Sequence, residues 1–407
     1  MSKIKKDDFY GLAKEATTQP KEVLLKKDPD QSSFSLGIPK EDNLNEHRVP
    51  ITPSAVKMLV YHGFEIMIES GAGIASRYSD NEYSEAGAQI TSDKNEVYQA
   101  DILLKIAFPK VDEIKLMKKG QLLISALNHP HLEAEYLRAS MDKKITALAF
   151  ENIKDNSGIL PIIHSMSEIA GKAAVFIAAE YLAGKQGSGL LFGGITGVPS
   201  VKAIILGAGT VGQFAARTSQ ALGAEVKVFD NSLYKLRRLR TFNSQHVFNS
   251  IIEQDILSKE LLQADVVIGA LRPYNGRTPC VVTEDMVMSM KENSVLIDVS
   301  IDQGGCFETS KVTSLNKPTF VRHGVTHYCV PNIPSIVPTT ASMALSNILA
   351  PILTELSESN TIDNYLWELP FARHGIYMYK GILTNSYLGQ VFNLNSKAID
   401  ILLTSNL

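Results

Sequence analysis

Val201-Lys202-Ala203-Ile204-Ile205-Leu206-Gly207-Ala208-Gly209-Thr210-Val211-Gly212 is the stretch on which the fold turns. Its first half is a short apolar run that reads as a buried strand, and it runs directly into Gly-x-Gly-x-x-Gly. Residues 213–222 read as a helix, and Gly223-Ala224 closes a turn. Glu225-Val226-Lys227-Val228-Phe229-Asp230 then supplies a second strand that ends in an acid. Glycines cluster in many turns, so the bare triplet decides little. Its context decides more: strand before, helix after, and an acid eighteen residues past the last glycine. Gly207 permits the tight turn, Gly209 lets backbone approach a pyrophosphate, and Gly212 lets helix and strand pack closely. The helix N-terminus favours the negative charge. Asp230 is placed to accept hydrogen bonds from the adenosine ribose and to repel a 2′-phosphate, which points to NAD rather than NADP. The plain alternative is a tight strand–helix turn without a ligand.

The chain has 407 residues, too many for one typical core, so two domains are expected. With 44% apolar residues, 20% charged residues and a net charge of −3, nothing asks for nucleic acid or an anionic membrane. Cys280, Cys306 and Cys329 show no metal-ligand spacing, and they suit a reducing compartment better than a disulfide framework. No uninterrupted apolar run is long enough to span a bilayer. The basic start Met1-Ser2-Lys3-Ile4-Lys5-Lys6 continues into polar sequence, where a signal peptide needs an apolar segment. The expectation is a cytoplasmic protein with no metal.

Residues 1–33 read as a polar extension with one short helix near residues 9–16. Phe34-Ser35-Leu36-Gly37-Ile38-Pro39 reads as a first strand. Thr52-Pro53-Ser54 opens a helix to about Tyr61, with Thr52 as cap and Pro53 at the first helical position. Further strands are expected at residues 64–69, 102–106, 122–125 and 145–150, with a helix at 81–86. Strands alternating with helices imply βαβ units and mainly parallel sheets. Residues 168–182 read as a long apolar helix bridging two domains. Residues 264–270 and 295–299 are two more buried strands, and residues 340–356 are the helix that returns the chain to the first domain. The fold class is α/β: two Rossmann-like domains with a cleft between them, the first discontinuous. Residues 34–163 and 340–407 form the substrate domain, and residues 164–339 the NAD-binding domain.

Several stretches converge on one family. Gly37-Ile38-Pro39-Lys40-Glu41 and Glu46-His47-Arg48-Val49-Pro50-Ile51-Thr52-Pro53 are joined by Glu69-Ser70-Gly71-Ala72-Gly73 and Met166-Ser167-Glu168-Ile169-Ala170-Gly171. The glycine motif follows, then Ile301-Asp302-Gln303-Gly304-Gly305-Cys306-Phe307-Glu308 and His327-Tyr328-Cys329-Val330-Pro331-Asn332-Ile333-Pro334. Across residues 34–395 the chain resembles the alanine dehydrogenases and their relatives, the N-terminal part of nicotinamide nucleotide transhydrogenase and the saccharopine dehydrogenases.

The resemblance implies a cleft in which NAD faces a small amino acid. The amino acid is oxidised to a 2-oxo acid with release of ammonia. It also implies a homo-oligomer, a hexamer in the family. Arg48 matches the family's carboxylate-binding arginine, a role that suits a planar guanidinium. By itself it also reads as a surface ion pair with Glu46. Asp302 matches the catalytic-site aspartate, and the alternative for it is a loop acid capping the glycine turn that follows. Asn332 matches a position near the substrate and Ser167 one near the nicotinamide. Each also reads as a turn-former or helix cap.

Two departures stand out. The family's Lys-Val-Lys-Glu-Pro reads here as Lys105-Ile106-Ala107-Phe108-Pro109, so the second lysine, a carboxylate ligand in the family, is replaced by Ala107. Lys105 reads as an ordinary strand-end lysine. The catalytic histidine falls in Leu127-Asn128-His129-Pro130-His131, where an ungapped match selects Asn128 and a one-residue insertion selects His129. A residue inserted before Phe150-Glu151 favours His129, and His131 reads as a solvated loop histidine. An NAD-dependent alanine dehydrogenase, or a relative acting on another small amino acid, is therefore expected. A transhydrogenase-like NAD-binding component and a non-catalytic NAD-binding relative are the alternatives.

Overall fold

The computed structural model describes residues 34–43, 45–127, 132–184, 187–242, 247–272, 277–359, 361–368 and 373–404. The helix expected near residues 9–16 lies outside them. Six short strands build the first sheet from the N-terminal half: β1 (Ser35–Ile38), β2 (Glu65–Glu69), β3 (Gln89–Thr91), β4 (Ile102–Leu104), β5 (Leu122–Ser125) and β6 (Thr146–Ala149). The next seven form the second sheet: β7 (Lys202–Leu206), β8 (Glu225–Phe229), β9 (Phe248–Ser250), β10 (Val266–Gly269), β11 (Val295–Asp298), β12 (Thr319–Arg322) and β13 (Val325–Tyr328). The chain then returns, and β14 (Ile376–Tyr379) and β15 (Ile382–Leu383) extend the first sheet past β6.

The sheet orders are β15-β14-β6-β5-β4-β1-β2-β3 and β12-β13-β11-β10-β7-β8-β9. Pairing is parallel except at β12, β14 and β15. Counting strands along the chain within each sheet, the first runs 3-2-1-4-5-6-7-8 and the second 3-2-1-4-5-7-6, so both share the doubly wound core 3-2-1-4-5. Central strands β4, β5, β6, β10 and β11 are buried at every residue. They are covered on both faces, which explains why they read as continuous apolar runs. Each sheet has two apolar clusters, one per face.

Four helices position the site: α1 (Pro53–Tyr61), α2 (Pro161–Ala183), α3 (Thr210–Ala221) and α4 (Pro338–Glu358). Helix α2 starts two turns earlier than the apolar run at residues 168–182 suggested, because Pro161 fits a first helical position. By length and composition α2 could cross a membrane, although Glu168, Lys172 and Glu180 interrupt its apolar run. Half of its most apolar window is buried inside the protein. Small residues line its contact with α3, and a Cβ on Gly171 would stand 2.4 Å from the Val211 carbonyl oxygen.

The segment between β1 and α1 is stitched to α4 and the short 3-10 turn before it. His47, Val49 and Thr52 donate backbone N–H groups to the hydroxyls of Ser335, Ser342 and Ser346 at 2.7, 2.9 and 3.1 Å. Ser342 and Ser346 stand four apart and share one helix face. Thr52 does occupy the cap position of α1, but its side chain makes no capping bond. Its hydroxyl lies 3.1 Å from that of Ser346 instead.

Replacing Gly171 with Ala forces α2 and α3 apart and lowers stability by about 1–3 kcal/mol. The expected readout is a lower denaturation midpoint, and an unchanged midpoint would mean the two helices part at no cost.

Candidate active site

At the end of β7 the chain turns through Gly207 with φ of +111°, a conformation that suits glycine. Cβ atoms on Gly207 and Gly212 would collide with the Ala270 carbonyl oxygen at 2.4 Å and the Gly207 carbonyl oxygen at 1.8 Å. A Cβ on Gly209 would meet nothing within 4 Å. Two glycines are therefore required by the protein's own packing, whereas Gly209 faces open space at the first turn of α3. First-turn N–H groups of a helix have no intrahelical partner and favour an anion. Asp230 is buried at the end of β8. Its Oδ2 accepts the Ala208 N–H and its Oδ1 the Ser232 N–H, both at 2.7 Å. A carboxylate has about four lone-pair sites, so two are left for a ribose. Gly207, Gly209, Gly212 and Asp230 thus fit a dinucleotide.

The loop after β1 carries Glu46 and Arg48. Glu46 holds Arg48 through two parallel bonds, from Nε to Oε1 at 2.7 Å and from Nη2 to Oε2 at 2.6 Å. It also accepts the Arg48 N–H at 3.1 Å. This is no surface ion pair, because the two side chains are 11% and 4% exposed. Burial works against the Arg48 charge. Glu46 more than offsets it, with Glu41 and Asp302 adding, and the proton is held more tightly than usual. Glu46 occupies the Nε–Nη2 edge, while Nη1 has the Met166 sulfur at 3.4 Å. The Nη1–Nη2 end is the edge left for a second carboxylate.

The second sheet delivers its own groups to this place. Asn332 has left-handed backbone (φ 59°, ψ 48°) just after β13 and donates its Nδ2 to Glu46 Oε2 at 2.8 Å. Its N–H points to Asp302 Oδ1 at 3.1 Å. Asp302 lies in a 3-10 turn (Val299–Gln303) immediately after β11. It does not cap the glycine turn, since the Gly304 and Gly305 N–H groups bond the Ile301 and Ser300 carbonyls. Arg48, Glu46, Asn332 and Asp302 are therefore linked in one chain of contacts drawn from both sheets.

Ser167 sits partly buried inside α2, next to Met166, which excludes the helix-cap reading. Asn128, His129 and His131 lie outside the described residues, so the proposed base has no geometry here. Lys105 departs from its reading as an ordinary strand-end lysine. It is 2% exposed, 3.1 Å from Glu113 Oε1 and 3.8 Å from Glu41 Oε2. That engagement keeps it from standing in for a cation at position 107. Glu41 itself accepts the N–H groups of Ile106 and Ala107 at 2.7 and 3.3 Å. Glu41 and the buried role of Glu46 were not singled out from sequence; a buried strand-end lysine calls for an acid partner, and that was the available signal. Among the described residues no group of three His, Cys, Asp or Glu side chains could hold a metal ion.

Residues 37–170 match the family model of the alanine dehydrogenase/PNT N-terminal domain, and residues 174–386 that of the C-terminal domain. Alanine dehydrogenase 2 of Staphylococcus aureus is 35% identical over 369 residues, covering 90% of this chain and 99% of that protein. The alanine dehydrogenase of Staphylococcus epidermidis matches with the same identity and coverage. Among solved structures, an L-alanine dehydrogenase superposes with a TM-score of 0.83 at 35% identity, covering 88% of this chain and 99% of that one. The transhydrogenase from Sinorhizobium meliloti, at 24% identity and a TM-score of 0.74, shares the fold over 87% of this chain and 99% of its own. Both family models match in chain order, the C-terminal one covering the second sheet together with β14 and β15, and the chain is an oxidoreductase of the alanine dehydrogenase/PNT family.

Proposed function

We propose that the chain is an NAD-dependent amino-acid dehydrogenase. In this reading it reversibly converts L-alanine, or another small amino acid, to the 2-oxo acid and ammonia. The observation that carries this reading is the linkage of Arg48 and Glu46 with Asn332 and Asp302, since the two groups come from different sheets. Homology to alanine dehydrogenases supports it.

The Nη1–Nη2 end of Arg48 holds the substrate carboxylate, with Glu46 fixing the plane of the guanidinium. Asp302 and Asn332, linked to each other and to Glu46, face the reacting carbon and its nitrogen. His129 is the proposed base, of a residue type that titrates near neutrality. Gly209 and the first turn of α3 hold the pyrophosphate, Asp230 the ribose, and Ser167 lies on the nicotinamide side. When bound, the nicotinamide supplies the hydride acceptor. The same proposal includes residues 34–163 with 340–407 as the substrate domain, residues 164–339 as the NAD domain, a cytoplasmic location and a homo-oligomer.

One observation favours a second reading. Ala107 supplies no charge to the substrate site and Lys105 is occupied elsewhere. That would suit a relative that keeps NAD without amino-acid turnover.

The purified protein is expected to oxidise NADH in the presence of pyruvate and ammonium, or of another member of a 2-oxo acid panel. Asp302→Asn and His129→Ala should each lower kcat at least ~100-fold. NADH binding without turnover on any member would sink the dehydrogenase reading. Arg48→Lys, which cannot hold Glu46 and a carboxylate through two edges at once, should reduce kcat/KM about 100-fold, chiefly through KM. Asp230→Asn should narrow the preference for NADH over NADPH by about tenfold or more, measured as the ratio of Kd values, since it removes the charge that repels a 2′-phosphate. An unchanged ratio would place cofactor selection elsewhere.

A further inference from the structure

Among the described residues, the neighbourhood of Arg48 is poor in positive charge. Three acids act on or touch the Arg48 neighbourhood: Glu46 by direct contact, and Glu41 and Asp302 through the electrostatic field. Against them stand Arg48, whose Nε–Nη2 edge is bound to Glu46, and Lys105. Lys105 is itself bound to Glu113, which also takes Lys94 at 2.9 Å and the Tyr98 hydroxyl. Lys94 in turn pairs with Asp42 at 2.8 Å. No cation of this network is left over for a fourth carboxylate arriving at Arg48.

Glu41 has a weaker claim on a counter-charge than Glu46. Its Oε1 rests on the amides of Ile106 and Ala107, and its Oε2 is 3.8 Å from Lys105, beyond hydrogen-bond length. The side chain is 8% exposed. Glu46, by contrast, has two bonds from the Arg48 guanidinium and one from Asn332.

We propose that Glu41 takes up a proton when an anionic substrate binds at Arg48, which removes a repulsion that a cation at position 107 would otherwise offset. This rests on Arg48 being the carboxylate site. The balance is simple: the substrate arrives as an anion, the Glu41 carboxylate becomes a carboxylic acid, and solvent supplies the proton. Burial pushes the Glu41 carboxyl up to about 7, against the opposing pull of Lys105 and the two amides. Such a group is neutral below that value and charged above it. An anion placed beside it raises the value further, so binding takes up a proton and weakens as pH rises through neutrality.

The test is calorimetric titration of pyruvate, or of the best-binding 2-oxo acid, into the protein–NADH complex. Two buffers differing in heat of ionisation give the proton count. The wild-type protein should take up about half a proton at pH 7, and Kd should rise up to about tenfold from pH 6 to pH 8. Glu41→Gln keeps an acceptor for the two amides and should bring the Glu41 uptake to zero. Ala107→Lys sets a cation beside Glu41, keeps it ionised throughout, and should do the same while tightening binding at pH 8. The second variant serves if the first does not fold.

No uptake in the wild type, or the same uptake in both variants, overturns the proposal. If Arg48→Lys weakens binding while the wild type shows no uptake, only the Glu41 proposal fails. If Arg48→Lys binds pyruvate as the wild type does, the Arg48 site and the Glu41 proposal fall together.

Discussion

The buried carboxylate of Glu46 is the contact on which the site depends. It accepts Nε, Nη2 and the backbone N–H of Arg48 and the Nδ2 of Asn332, so one acid fixes a guanidinium from the first sheet and an amide from the second. A buried charge is stable only when paired and hydrogen-bonded, and removing one partner leaves the other uncompensated. Glu46 therefore does two things with one group. It makes a buried Arg48 possible, and it fixes the plane of that guanidinium by taking its Nε–Nη2 edge.

The repeated sheet topology explains why these residues can meet at all. In a sheet with the core order 3-2-1-4-5, loops at the carboxyl ends of the strands open a crevice where the order reverses. The loop after β1 carries Glu46 and Arg48. In the second sheet the turn after β7 carries the glycines, and the segments after β11 and β13 carry Asp302 and Asn332. Helix α2 brings Met166 to the same place, and α4 anchors the Arg48 loop through Ser342 and Ser346.

Position 107 carries a methyl group beside a buried charge network. Phe108, next in sequence, packs edge-on against Tyr136 with ring centroids 5.2 Å apart. The Glu41–Lys105–Glu113 network nearby is buried. A network of this kind is costly to bury unless every member is paired. Lys105 is held inside by that requirement and is unavailable as a ligand.

The sequence by itself determined four strands of the second sheet, β7, β8, β10 and β11, but not the short β9 or the β12–β13 pair at its edges. Strand, Gly-x-Gly-x-x-Gly, helix and terminal acid are a local pattern, in which Gly212 answers to a neighbour five residues away and Gly207 to the end of the strand alongside. It also determined the apolar central strands, because burial on both faces leaves a run of aliphatic residues that needs no partner to be read. The direction of a charged side chain was a different matter. Arg48 beside Glu46 is two residues apart on paper and fits a solvated pair equally well; only the packing of α4 and Asn332 around them made it a buried one. Lys105 looked like the end of a strand until Glu41 and Glu113, 64 residues before and 8 after, closed on it from separate elements. Such long-range pairings depend on which faces meet in three dimensions, and local periodicity carries no information about them.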